Sequence, residues 1–134
     1  LSGHKVACDR AAVTASEMGL RATPLVVAGA FHSPLMAPAA DRLGAQLART
    51  AIAPPRSTVV ANVTALPHDP SPDSIRRRLV EQLTSPVRWS QSCSWLASNV
   101  KAEVHELAPG KTLAGLMRRI DKSLKVITHE DPSN

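Results

Sequence analysis

Aromatic side chains are nearly missing from this chain: Phe31, Trp89 and Trp95 are the whole set, and there is no tyrosine. Burial therefore falls to Leu, Val, Ile and Ala, and the core should be aliphatic. The net charge is +5 and the pI about 9.9, which suits an acidic partner. No aromatics alternate with the Lys and Arg residues, and none of the usual nucleic-acid motifs can be read, so nucleic acid is set aside. Cysteine is scarce too. Cys8 and Cys93 stand far apart, outside any Cys-x-x-Cys or Cys/His ligand spacing. They read as free thiols in a reducing compartment, and no metal site is implied. Long apolar runs are absent, since a stretch such as Pro24 to Phe31 is far too short to cross a bilayer, and no signal-peptide pattern opens the chain. The expectation is a soluble protein with no membrane partner, cytoplasmic or in an organelle matrix, with cytoplasmic taken as the assignment. The first residue is Leu rather than Met, which points to a truncated product or excised fragment.

What is present is 134 residues, 43% of them hydrophobic, enough for one modest core and about one domain by length. Helical spacing of Val6, Arg10, Val13 and Glu17, closed by Gly19, predicts a helix over 4–18. Ala22 to Val27 reads as a short buried strand, followed by a loop carrying Phe31-His32-Ser33. Met36, Ala40, Leu43, Leu47 and Ala51 predict a helix over about 34–50, stopped by Pro54-Pro55. Ser57 to Val63 has the β-branched density of a second strand. Ile75, Leu79, Val80 and Leu83 give a third helix ending near Thr84, with Arg76-Arg77-Arg78 directed mainly outward. A short helix over Ser90–Ser98, a strand over Val104–Leu107, a helix through Leu113, Leu116, Met117 and Ile120, a last strand over Leu124–Thr128 and a loose tail complete the reading. Alternation of strands with helices makes the fold class α/β.

His32 is the residue best placed for chemistry, because it follows a predicted buried strand in a loop, where α/β enzymes commonly expose catalytic groups. Position alone does not assign it, since most loop histidines are surface or structural residues. The segment Gly29-Ala30-Phe31-His32-Ser33-Pro34-Leu35-Met36 resembles the histidine motif of malonyl-CoA:acyl-carrier-protein transacylases and related polyketide-synthase acyltransferase domains. Further stretches agree in order: Ser2-Gly3-His4, Val60-Ala61-Asn62-Val63, Leu79 to Trp89, and Glu106 to Leu116. The resemblance covers nearly the whole chain.

The resemblance implies the C-terminal part of an α/β-hydrolase-like acyltransferase domain. Residues 1–28 would be the end of an inserted ferredoxin-like small subdomain, and 29–134 part of the large subdomain. It implies ping-pong transfer of a malonyl group from malonyl-CoA to the phosphopantetheine thiol of acyl carrier protein, in fatty-acid biosynthesis. His32 would be the base that takes the proton of a serine nucleophile. Gln82 would orient it through its main-chain carbonyl, replacing the usual triad carboxylate. Phe31 would crowd the α-methyl of methylmalonyl and so favour malonyl, a discrimination of about 1–3 kcal/mol; it would equally serve as a packing residue. No cofactor is implied, since phosphopantetheine arrives on the partner. Trp89 and Trp95 read as core residues.

Three parts of the family's machinery are not found in these residues: the serine of a Gly-His-Ser-x-Gly elbow, the arginine that pairs with the malonate carboxylate, and the oxyanion hole. A sheet cut in this way would expose apolar surface and associate with itself. Ala108 stands where the family usually has Gly, which weakens any ligand role for the Pro109-Gly110-Lys111 turn. The basic sets Arg76-Arg77-Arg78 and Lys111, Arg118, Arg119, Lys122 carry the charge to meet an acidic carrier protein, although charged helix faces are more often simply solvated. The chain's end soon after Ile127 favours a free-standing transacylase over a polyketide-synthase domain, and a non-catalytic carrier-binding module is the reading from another class.

Overall fold

The computed structural model describes residues 1–107 and 109–129. The turn at Ala108 and the end of the expected tail, 130–134, lie outside the described residues. Among the described residues, five helices and two short strands are formed: α1 (Lys5–Glu17), a 3-10 turn (Pro34–Met36), α2 (Ala37–Ala48), α3 (Pro72–Glu81), α4 (Trp89–Asn99), β1 (Val104–Glu106), α5 (Thr112–Ile120) and β2 (Val126–Thr128). The chain is mixed α/β with a small parallel sheet, as its alternation predicts.

Contacts divide the chain into two units, one of residues 1–59 and 67–87, the other of 60–66 and 88 onward. In the first unit α2 packs against α3. Both helices begin with proline in their first turn, where the missing N–H costs no intrahelical bond. Ser71 caps α3 by accepting from the Ser74 amide at 3.3 Å, and Asp73 adds a negative charge at the positive helix end. The inner faces are Ala40, Leu43, Gly44 and Leu47 on α2 and Ile75, Leu79 and Val80 on α3, buried or half-buried. α1 forms as its spacing predicts but buries no residue, leaving Val6 and Val13 exposed.

In the second unit, β1 and β2 run parallel in the register Val104↔Val126, His105↔Ile127, Glu106↔Thr128, with α5 as the crossover between them. Parallel neighbours require such a connection, because a tight turn can join only antiparallel strands. Glu106 is 4% exposed, and its two carboxylate oxygens accept the Leu113 and Ala114 amides of α5, each at 2.9 Å. A strand side chain thus satisfies amides at the start of the next helix.

Two expected strands do not form. Residues 21–28 have no strand structure and are all exposed, with Val26 fully so. A β-branched run becomes a strand only when a neighbour pairs its backbone, and among the described residues none does. Over 57–63 the backbone makes only one isolated bridge position, at Val60. The chain then closes a turn in which Ala61 N–H donates to Leu66 O at 2.9 Å and Ala65 takes φ +57°. No described helix is long and apolar enough to cross a membrane.

Candidate active site

The site is built where the loop before α2 meets the end of α3. Ser33 is 2% exposed; its Oγ donates to Ala30 O at 2.7 Å and accepts from Leu35 N–H at 3.3 Å, bracing the loop on both sides of residue 32. Within this brace His32 has φ +61°, a left-handed backbone that a side chain rarely adopts. Strain of this kind persists only where surrounding contacts hold it. Here they are two carbonyls at the α3 terminus: His32 N–H donates to Leu83 O at 3.1 Å, and its imidazole Nδ1 lies 2.7 Å from Gln82 O.

That second contact determines the tautomer. A carbonyl oxygen can only accept, so Nδ1 carries the proton and donates it. In the neutral ring Nε2 is then left with the lone pair, the state a general base needs. Gln82 is the C-cap of α3, so its carbonyl lies beyond the last i→i+4 bonds of the helix and can accept from outside it. The negative end of α3 therefore faces a ring that becomes positive on accepting a proton.

The structure brings His32 and Gln82 together across 50 positions of sequence. Phe31, also singled out in the sequence, is 46% exposed, and its ring lies 3.8 Å from where a Cβ on Gly29 would stand. The expectation that Arg76-Arg77-Arg78 would point outward holds only for Arg77, which is exposed. Arg76 donates to Leu47 O, Thr50 O and Asp73, and Arg78 pairs with Glu81 at 2.7 Å. Three-residue charge runs on a helix span most of its circumference, so some must turn inward. Sequence reasoning also passed over Leu83 O and the left-handed residue 32. Ser33 followed by Pro34 is a helix-start signal that marks the brace.

On the second unit, Lys111, Arg118, Arg119 and Lys122 border an open depression of about 530 Å³ with Leu116 at its side. Trp89 and Trp95 are half-buried rather than fully in the core, and the buried Trp89 Nε1 has no hydrogen-bond partner. Among the described residues, no group of three or more His, Cys, Asp or Glu side chains is arranged to hold a metal.

No family model matches the chain. Known proteins do. The chain is 38% identical over 134 residues to the malonyl CoA-acyl carrier protein transacylase of Escherichia coli, and 38% identical over 133 residues to that of Bacillus subtilis. The chain is related to the malonyl CoA-acyl carrier protein transacylases. It spans 43% and 42% of the length of these two transacylases, which use 99% and 98% of the chain, and it corresponds to their C-terminal part. The solved malonyl-CoA:acyl carrier protein transacylase of Xanthomonas oryzae superposes with a TM-score of 0.90 at 42% identity, over 98% of this chain and 42% of its own. A malonyl-transacylase solved in complex with its type II PKS acyl-carrier protein gives 0.92 at 35% identity, over 98% and 42%. Similarity to the transacylases thus extends through both units described above.

Proposed function

We propose that these residues carry the general-base half of an acyl-transfer site. The whole protein moves a malonyl group from malonyl-CoA to the phosphopantetheine thiol of acyl carrier protein, serving fatty-acid biosynthesis in the cytoplasm. The observation that carries this reading is the 2.7 Å contact from His32 Nδ1 to Gln82 O, which leaves Nε2 as proton acceptor. A serine outside these 134 residues supplies the nucleophile. His32 Nε2 takes its Oγ proton as Oγ attacks the thioester carbon; the C–S bond breaks, and the departing thiolate recovers the proton from the imidazolium. In the second half the carrier's thiol gives its proton to Nε2, its sulfur attacks the serine ester, and serine leaves with that proton. No resident cofactor is needed.

In this reading residues 1–28 close the small subdomain, and Phe31, next to the base, crowds an α-methyl group and so favours malonyl over methylmalonyl. The cations of α5 receive the acidic carrier protein. Like most charge-led docking, this contact should weaken with salt.

The test is made on the full-length protein. Incubation with malonyl-CoA should add one malonyl group by intact mass, and His32→Ala should slow that labelling by about 10²–10⁴-fold. Wild-type labelling in that variant would remove His32 as the base, and a full-length protein that takes no malonyl would favour the non-catalytic carrier-binding module. Replacing Arg118 and Arg119 with Glu should weaken carrier-protein affinity; unchanged affinity would dismiss α5 as its docking surface.

A further inference from the structure

α2 and α3 are fastened to each other near both ends, and His32 is one of the two fasteners. At one end the loop that leads into α2 hangs from the α3 terminus through Gln82 O and Leu83 O. At the other end Arg76, in the first half of α3, spreads its guanidinium across the C-terminal end of α2. Its Nε donates to Leu47 O at 2.9 Å and one Nη donates to Thr50 O at 2.8 Å. The remaining Nη turns back to Asp73 of its own helix at 2.9 Å.

Leu47 O lies in the last turn of α2 and also accepts the Thr50 amide at 3.1 Å, while Thr50 O lies two residues past the helix; a cation is favoured beside both carbonyls at that helix end. The planar fork reaches both at once, which the single ammonium of lysine cannot do with the same geometry. A closed circuit results: His32, the 3-10 turn, α2, the Arg76 fork, α3, and Gln82 O back to His32. Sliding or rotating α3 along α2 would pull Gln82 O and Leu83 O against a loop that Ser33 braces onto the 3-10 turn leading into α2, and so would strain the line from Gln82 O to the imidazole. Apolar contacts oppose that slide least at Val80, where the facing α2 position is Gly44, with no side chain to interlock.

We infer that Arg76 is a positioning residue for His32: it sets the register of α3 on α2, and with it the line from Gln82 O to Nδ1. The effect on catalysis rests on the reading of His32 as general base; the effect on the Nδ1 hydrogen bond does not. Arg76 acts about one helix length from the imidazole and has no contact with reacting atoms.

The experiment compares full-length wild type with Arg76→Ala, Arg76→Lys and Asp73→Ala. Two readouts are taken: the rate constant and amplitude of malonylation by malonyl-CoA, and the His32 imidazole resonances in protein labelled with ¹⁵N-histidine. Arg76→Ala should lower the rate constant at saturating malonyl-CoA by up to about a hundredfold, with KM little changed. The Nδ1–H signal should broaden or shift, and Lys should restore part of both. Asp73→Ala should match wild type, because the Asp73 side chain is 92% exposed and lies outside the circuit. A purely structural role would instead reduce the amplitude, as fewer molecules fold, while the rate constant and His32 signals of the folded fraction stay at wild-type values; that result overturns the inference. If Arg76→Ala does not fold, Arg76→Lys decides, and wild-type rate and resonances there overturn it equally. If the wild-type protein takes no malonyl, the proposed function fails while the resonances still decide the positioning role.

Discussion

His32 and Gln82 stand 50 positions apart in the chain, yet the imidazole Nδ1 of one lies 2.7 Å from the main-chain oxygen of the other. The acceptor is backbone, so the bond depends on where the end of α3 sits.

His32 holds a left-handed backbone at φ +61°, which costs a residue with a side chain about 1–2 kcal/mol. Glycine removes that cost but also removes the Nδ1–H···O bond, worth about 1 kcal/mol net. His32→Gly should therefore unfold within about 1 kcal/mol of wild type. The same variant should slow malonyl labelling of the full-length protein by about 10²–10⁴-fold. A large loss of stability in denaturant melts would show that the imidazole mainly supports the fold.

Gly44 lies inside α2, and a Cβ built on it meets Val80 Cγ2 at 3.7 Å, an ordinary contact. Gly44→Ala should stabilise the protein by up to about 1 kcal/mol, because alanine loses less backbone entropy in a helix. A lower melting temperature would mean that α2 and α3 pack more tightly than this distance shows.

The buried carboxylate of Glu106 accepts two amides at the start of α5. Glutamine offers one oxygen and sets an NH₂ group against the other amide, donor facing donor. Glu106→Gln should cost about 1–3 kcal/mol. Equal unfolding midpoints for variant and wild type would contradict this capping role.

The Asp121 carboxyl is held below the ordinary aspartate range, first by the Ser123 hydroxyl and then by the Ser123 amide. A lowered folded value means its contribution is complete above the unfolded pKa and disappears as pH falls through the depressed folded value. Ser123→Ala should move the Asp121 titration, followed by NMR, upward toward the ordinary range. No movement would assign the depression to the backbone amides alone.

Cys93 is fully buried, and burial pushes its thiol pKa up, whereas Cys8 is partly exposed. Alkylation of the native protein at neutral pH should modify Cys8 first, and Cys93 only at the pace of opening or unfolding. Equal labelling rates by peptide mass mapping would refute the burial of Cys93.

The amino-acid sequence by itself determined the helices, since each predicted helix is present with ends shifted by a few residues at most. Helix bonds join residues four apart, so periodicity and caps lie within the segment that uses them. It also determined the motif around His32, although the link from His32 to Gln82 came through resemblance rather than spacing. Tertiary structure decided the rest. Residues 22–27 have the composition of a strand and remain unpaired, because a strand forms only with a neighbour. The helical spacing directs the Arg76-Arg77-Arg78 run mainly outward, yet Arg76 binds carbonyls 26 and 29 positions away. The tautomer of His32, its left-handed backbone and the Arg76 fork all depend on which carbonyls packing brings within reach, and no local pattern encodes a distance across 50 residues.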